Sequence, residues 1–114
     1  MKPKLPIVAA LATFAIALPV KAEDNSRNKA EVIGAWAALN CSIEKGIFTH
    51  ELGIQAMQEL IDESPNLINA YIWASISPKA KEALKELAPY VNSDCDDFTL
   101  SETALGETLM RYVN

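Results

Sequence analysis

The apolar positions divide the chain into two regimes. Residues 7–18 form an almost unbroken apolar run, whereas from residue 28 onward apolar side chains recur at helical spacing. In "NKAEVIGAWAALNCSIEK", residues 28–45, Val32, Trp36, Leu39 and Ile43 fall at i, i+4, i+7 and i+11, one stripe of a helix that Gly46 then closes. Thr49 is placed to cap a second helix, "HELGIQAMQELIDE", with Leu52, Ala56, Met57, Leu60 and Ile61 on its buried face. Ser64-Pro65 and Ser77-Pro78 each set a capping hydroxyl before a proline at the first helical position, where the missing N–H costs nothing. Between them, Asn66 to Ile76 is apolar nearly all round and is expected to be central and buried. Its Ile68, Tyr71, Ile72, Trp73 and Ile76 suit a strand as well as a helix, and the spacing leaves that choice open.

Residues 78–88, "PKAKEALKELA", are the clearest amphipathic stretch, with Ala80, Ala83, Leu84 and Leu87 inward and the lysines and glutamates outward. Pro89 ends or kinks this helix, because its ring clashes with the carbonyl four residues earlier. Thr99-Leu100-Ser101-Glu102 reads as a capping box with Thr99 as the cap, opening a last helix that carries Leu105, Leu109, Tyr112 and Val113 on one side. The pattern predicts an all-α fold, a compact bundle of about five short helices. Residues 29–114 form its single helical domain, and the polar segment 23–28, "EDNSRN", is a loose start to it.

The first regime has the order of a secretory signal peptide over residues 1–22: Lys2 and Lys4, then an apolar centre from Ile7 to Leu18, then Val20 and Ala22 before a cut after Ala22. Its apolar centre spans about 18 Å as helix, short of the roughly 30 Å hydrocarbon layer, so a retained anchor is disfavoured. The predicted location is periplasmic or secreted, with no stable membrane anchor after cleavage.

Removing the leader changes the charge. The formal net charge of the 114-residue chain is −5, and residues 1–22 contain Lys2, Lys4, Lys21 and no acid, so the mature part carries −8. Its basic residues, Arg27, Lys29, Lys45, Lys79, Lys81, Lys85 and Arg111, are scattered. No patch among them is suited to neutralising phosphates, which argues against nucleic acid as a partner.

Cys41 and Cys95 are the only cysteines, and an exported chain permits one intramolecular disulfide between them. At 100° per residue Cys41 lies about 140° from Trp36, beside Gly34, Ala37 and Ala38. Such small side chains let the segment around Cys95 approach closely. Redox or nucleophilic chemistry would need a Cys-x-x-Cys pair or a histidine placed to activate the thiol, and neither spacing is present.

Asp94, Asp96 and Asp97 invite a calcium reading. Counted from Asp94, however, the fifth, sixth and twelfth positions are Phe98, Thr99 and Leu105, where a calcium loop needs oxygen, glycine and glutamate. These aspartates read instead as turn and cap residues. His50 is the only histidine, and a lone surface histidine is weak support for catalysis or zinc. Glu59, Asp62 and Glu63 lie close on one helix, as acids do on most small acidic helices. The aromatic residues Trp36, Tyr71, Trp73, Tyr90, Phe98 and Tyr112 suit a core better than a ligand cleft. No catalytic, cofactor-binding or metal-ligating residue is assigned, and no cofactor is implied.

These features select a non-enzymatic protein-interaction module whose partner is another envelope or extracellular protein. In size, acidity, helix content and single disulfide, the mature chain also resembles the small periplasmic acid-stress chaperones. That resemblance implies a surface that responds to acid: protonating the carboxylates and His50 would swing the charge from −8 to about +8 and expose apolar surface. A small-ligand binder is the third reading, and a small hydrolase is disfavoured.

Overall fold

Small residues decide which helix lies at the centre. The computed structural model describes residues 24–113, so the predicted leader and its cleavage point lie outside the described residues. Helix α1, Asp24–Glu44, buries Ala30, Gly34, Ala35, Ala37 and Ala38 together with Val32, Ile33 and Leu39, which is burial on more than one face. It packs against the four other helices among the described residues: α2 (His50–Glu63), α3 (Ile68–Ile76), α4 (Pro78–Leu87) and α5 (Glu102–Val113). Two 3₁₀ turns, Pro65–Leu67 and Ala88–Tyr90, lead into α3 and finish α4. Among the described residues there is no strand, only a single antiparallel bridge between Val91 and Phe98. The fold is the all-α bundle read from the sequence, with Cys41 and Cys95 bonded (S–S 2.04 Å, Cα–Cα 5.6 Å).

The ends of α1 follow from local chemistry. Residues 24–28, expected as a loose start, form the first turns of α1, because polar groups there find partners across the fold. Ser26 is buried and its hydroxyl donates to the carbonyl of Val113 (3.3 Å). Asn28 and Asn66 exchange hydrogen bonds, the Asn28 amide donating to the Asn66 carbonyl (3.1 Å) and the Asn66 amide to Asn28 Oδ1 (3.0 Å). At the other end Gly46 takes φ +73°, and the N–H groups of Gly46 and Ile47 bond back to the carbonyls of Ile43 and Ser42, a Schellman closure. A Cβ on Gly53 of α2 would sit 3.0 Å from Cδ1 of Ile43, a side-chain end that would have to give by a few tenths of an ångström.

The caps hold in part. Thr49 accepts from the N–H of Leu52 (3.2 Å), as the sequence indicates. Ser64 and Ser77 do precede helical starts, yet neither side chain caps. Their carbonyls serve instead, accepting from Leu67 and Lys81. The cap of α5 is Ser101 rather than Thr99: its hydroxyl accepts from the N–H of Ala104 (3.2 Å). Thr99 is occupied two residues earlier, where its N–H and hydroxyl both bond to the carbonyl of Tyr90 and close the preceding loop.

The ambiguous segment, Asn66 to Ile76, is helical, and it is not central. Ala70 and Ala74 face the core, while Ile68, Ile72 and Ile76 are exposed by 50, 51 and 72%. The reason lies in α1. A central helix must let neighbours approach on every side, which its alanines and glycine allow and the isoleucines of α3 do not.

Candidate functional site

Residues 91–98 form a closed loop organised by one side chain. Asn92 Oδ1 accepts from the N–H groups of Asp96 (3.0 Å) and Asp97 (3.3 Å), and its amide donates to Asp96 Oδ1 (2.7 Å). The N–H of Asn92 in turn bonds to the carbonyl of Asp97 (2.8 Å), and Asp97 Oδ1 accepts from the N–H of Phe98 (2.8 Å). Asp96 and Asp97 are therefore turn residues, as expected, while the organising Asn92 was not singled out in the sequence. An asparagine two residues before an aspartate-rich run, and four before Asp96, is the signal that could have found it. Among the described residues no group of three acidic, histidine or cysteine side chains is placed to hold a metal ion.

Cys95 is buried in this loop in the left-handed region (φ 59°), and its sulfur reaches Cys41, half-buried on the small-residue flank of α1. Lys45, one turn beyond Cys41, donates its ammonium to the carbonyl of Ser93. Disulfide and lysine together fix the loop on the end of α1.

The remaining candidates are dispersed. His50 is exposed at the first turn of α2, on the rim of a groove of about 410 Å³ with Asn40, Glu44 and Lys85, above a floor that includes Ala37, Ile43 and Leu84. That groove contains a single carboxylate, Glu44. Glu59, Asp62 and Glu63 lie away from it along α2, with Asp62 and Glu63 exposed. A shallower groove of about 580 Å³ holds Glu82 and Glu86 with Tyr90, Arg111 and Tyr112. Its Glu86 is engaged, pairing with Arg111 (3.0 Å) and accepting from the Tyr112 hydroxyl, which clasps α4 to α5. That hydrogen bond raises the Tyr112 pKa above the ordinary phenol value, and desolvation adds to it.

The aromatic residues are divided between seams. Trp36 and Tyr71 stack across α1 and α3 (centroids 6.3 Å, planes 19° apart), and the Lys29 ammonium lies 4.9 Å from the ring centre of Trp73. Phe98 is buried beneath the loop, while Tyr90 is exposed and Tyr112 half-buried in the shallow groove.

One carboxyl responds to its surroundings. Burial pushes Glu31, half-buried on α1, above its ordinary value. Its charged form is disfavoured in the fold, so its stabilising contribution is present below about pH 4.3 and is lost as pH rises through the raised folded value. Glu31→Gln is expected to unfold at higher urea than wild type at pH 7, with the difference closing near pH 3.5. An equal difference at both pH values would contradict the burial effect.

What most distinguishes the surface is the row on α3. Ile68, Ile72 and Ile76 recur every four residues and lie in line along about 12 Å of helix. No residue from Ile68 to Ile76 is charged. The sequence reading registered these isoleucines as core. The signal against that was the second line in the same helix, Ala70 and Ala74, whose small size matches the small faces of α1.

Comparison with known proteins finds no match to a family model, to a curated protein or to a solved structure.

Proposed function

We propose that this chain is an exported, non-enzymatic protein-interaction module, which binds another protein in the periplasm or outside the cell through α3. The observation that carries the reading is the line of Ile68, Ile72 and Ile76. Isolated surface isoleucines need no explanation, but three in register on an uncharged helix of an acidic domain mark a contact face. Export is supported by the leader pattern of residues 1–22 and by the Cys41–Cys95 disulfide, a bond that persists in oxidising compartments. Among the described residues no helix is long and apolar enough to cross a membrane.

The test is crosslinking in the native compartment followed by mass spectrometry, on wild type and on Ile72→Asp. The expected result is a set of crosslinked partner peptides mapping around α3 that the variant loses. The same peptides from both proteins, or none from either, would remove the reading. The intact mass from the same experiment reports whether the mature chain begins at Glu23.

A further inference from the structure

We propose that the groove between α1 and α4, with the first turn of α2 on its rim, binds a short apolar peptide whose two termini are free. The groove is separate from the α3 row, and its occupant is additional to the protein partner proposed for that row. Four polar side chains stand around it: Asn40 and Glu44 from α1, His50 from α2 and Lys85 from α4. Among the described residues none of these four side chains makes a hydrogen bond or an ion pair. In the shallower groove the polar groups hold one another, Glu86 with Arg111 and Tyr112, and so join α4 to α5. Here they are left to solvent or to a ligand.

Charge complementarity decides what fits. An anion such as a fatty acid or a nucleotide meets Lys85 but also Glu44, and a cation meets Glu44 but also Lys85. A wholly apolar molecule would cover four polar side chains without giving them partners. A sugar finds no Phe, Tyr or Trp ring along the walls to stack on. A zwitterion answers both charges: its ammonium faces Glu44, and its carboxylate faces Lys85 and a ring N–H of His50, while the Asn40 amide takes the peptide link. Apolar side chains then cover the floor of Ala37, Ile43 and Leu84.

Span sets the length of the peptide. Glu44 and Lys85 belong to two packed helices, whose axes lie about 8–10 Å apart. The ammonium and carboxylate of a single amino acid share one carbon, whereas an extended dipeptide covers about 7 Å. A volume of about 410 Å³ lies toward the lower end for small-molecule sites and suits so small a ligand. The walls are also fixed in advance. Cys41, bonded to Cys95, lines the groove, and the closure at Gly46 ends α1 just beyond Glu44.

Titration of the isotopically labelled, oxidised protein with leucyl-leucine at pH 7, followed by backbone amide chemical shifts, decides it. The expected result is saturable shifts confined to residues 37–44, His50 and residues 84–88, with a Kd of about 0.2 mM for a ligand of this size. N-acetyl-leucyl-leucine, which lacks the ammonium, and leucyl-leucine amide, which lacks the carboxylate, each bind about five-fold more weakly. Glu44→Gln removes the penalty of acetylation and Lys85→Gln removes that of amidation. Both side chains are exposed, so the helical circular-dichroism spectrum of each variant is that of wild type. Ile72→Asp binds leucyl-leucine as wild type does. No saturable shift up to about 10 mM, shifts centred elsewhere, blocked peptides that bind wild type as well as the free one, or penalties that both variants leave unchanged overturns the proposal.

Discussion

Replacing both cysteines with alanine is expected to lower the unfolding free energy by about 4 kcal/mol. Cys41 and Cys95 lie 54 residues apart in sequence. On the chain-entropy model, closing a loop of that size falls between about 3 kcal/mol for 15 residues and about 4.7 for 100. Small domains are stable by about 5–15 kcal/mol, so the loss is a large share of the whole. The loop at 91–98 sharpens the prediction. Cys95 is held in the left-handed region, φ 59°, which costs a side-chain-bearing residue roughly 1–2 kcal/mol and glycine little. Cys41→Ala with Cys95→Gly should therefore be more stable than Cys41→Ala with Cys95→Ala by about 1 kcal/mol. Urea unfolding followed by the fluorescence of Trp36 and Trp73 measures both differences. Equal midpoints for the oxidised wild type and the double variants would show that the bond does not constrain the unfolded chain.

Leu39→Ala is expected to cost about 3–4 kcal/mol, within the range for a fully buried leucine that leaves a cavity. Leu39 is 0% exposed and sits on the helix that packs against the four others described, so no single neighbour can move in to fill the space. The contrast with α3 makes the measurement informative. Ile72 is half exposed, and Ile72→Ala should change stability by no more than about 0.5 kcal/mol. If Ile72→Ala proved as costly as Leu39→Ala, α3 would be part of the core and its exposed row would lose its meaning.

How much of this was legible in the sequence depends on what each residue encodes. Helix boundaries set by backbone chemistry were readable: Gly46 stops α1, Thr49 caps α2 and Pro89 turns α4 into a 3₁₀ end. So was the disulfide, since an export pattern and two cysteines leave one pairing. Burial was less readable, because hydrophobicity and size compete. The isoleucines of α3 drew the expectation of a core, yet a helix with four neighbours needs small residues, and Ala30, Gly34, Ala35, Ala37 and Ala38 put α1 there. Contacts far apart in sequence were invisible. Nothing local says that Ser26 meets Val113 or that Asn28 meets Asn66, and those contacts are what order the expected loose start. At the site, the aspartates of the loop were readable as turn residues, but the central part of Asn92 depends on a fold of the loop that its own pattern does not state.

The Ser26–Val113 hydrogen bond places the beginning of α1 beside the end of α5. The path through the five described helices therefore ends near the start of the first of them, and a short bridge from Val113 to Asp24 would turn that path into a ring. The packing would then not depend on where the ring is opened, so a permuted chain beginning in the exposed turn at Gly46 would present the same helices to one another. Which helix comes first is an accident of synthesis; which helix is surrounded is decided by its alanines.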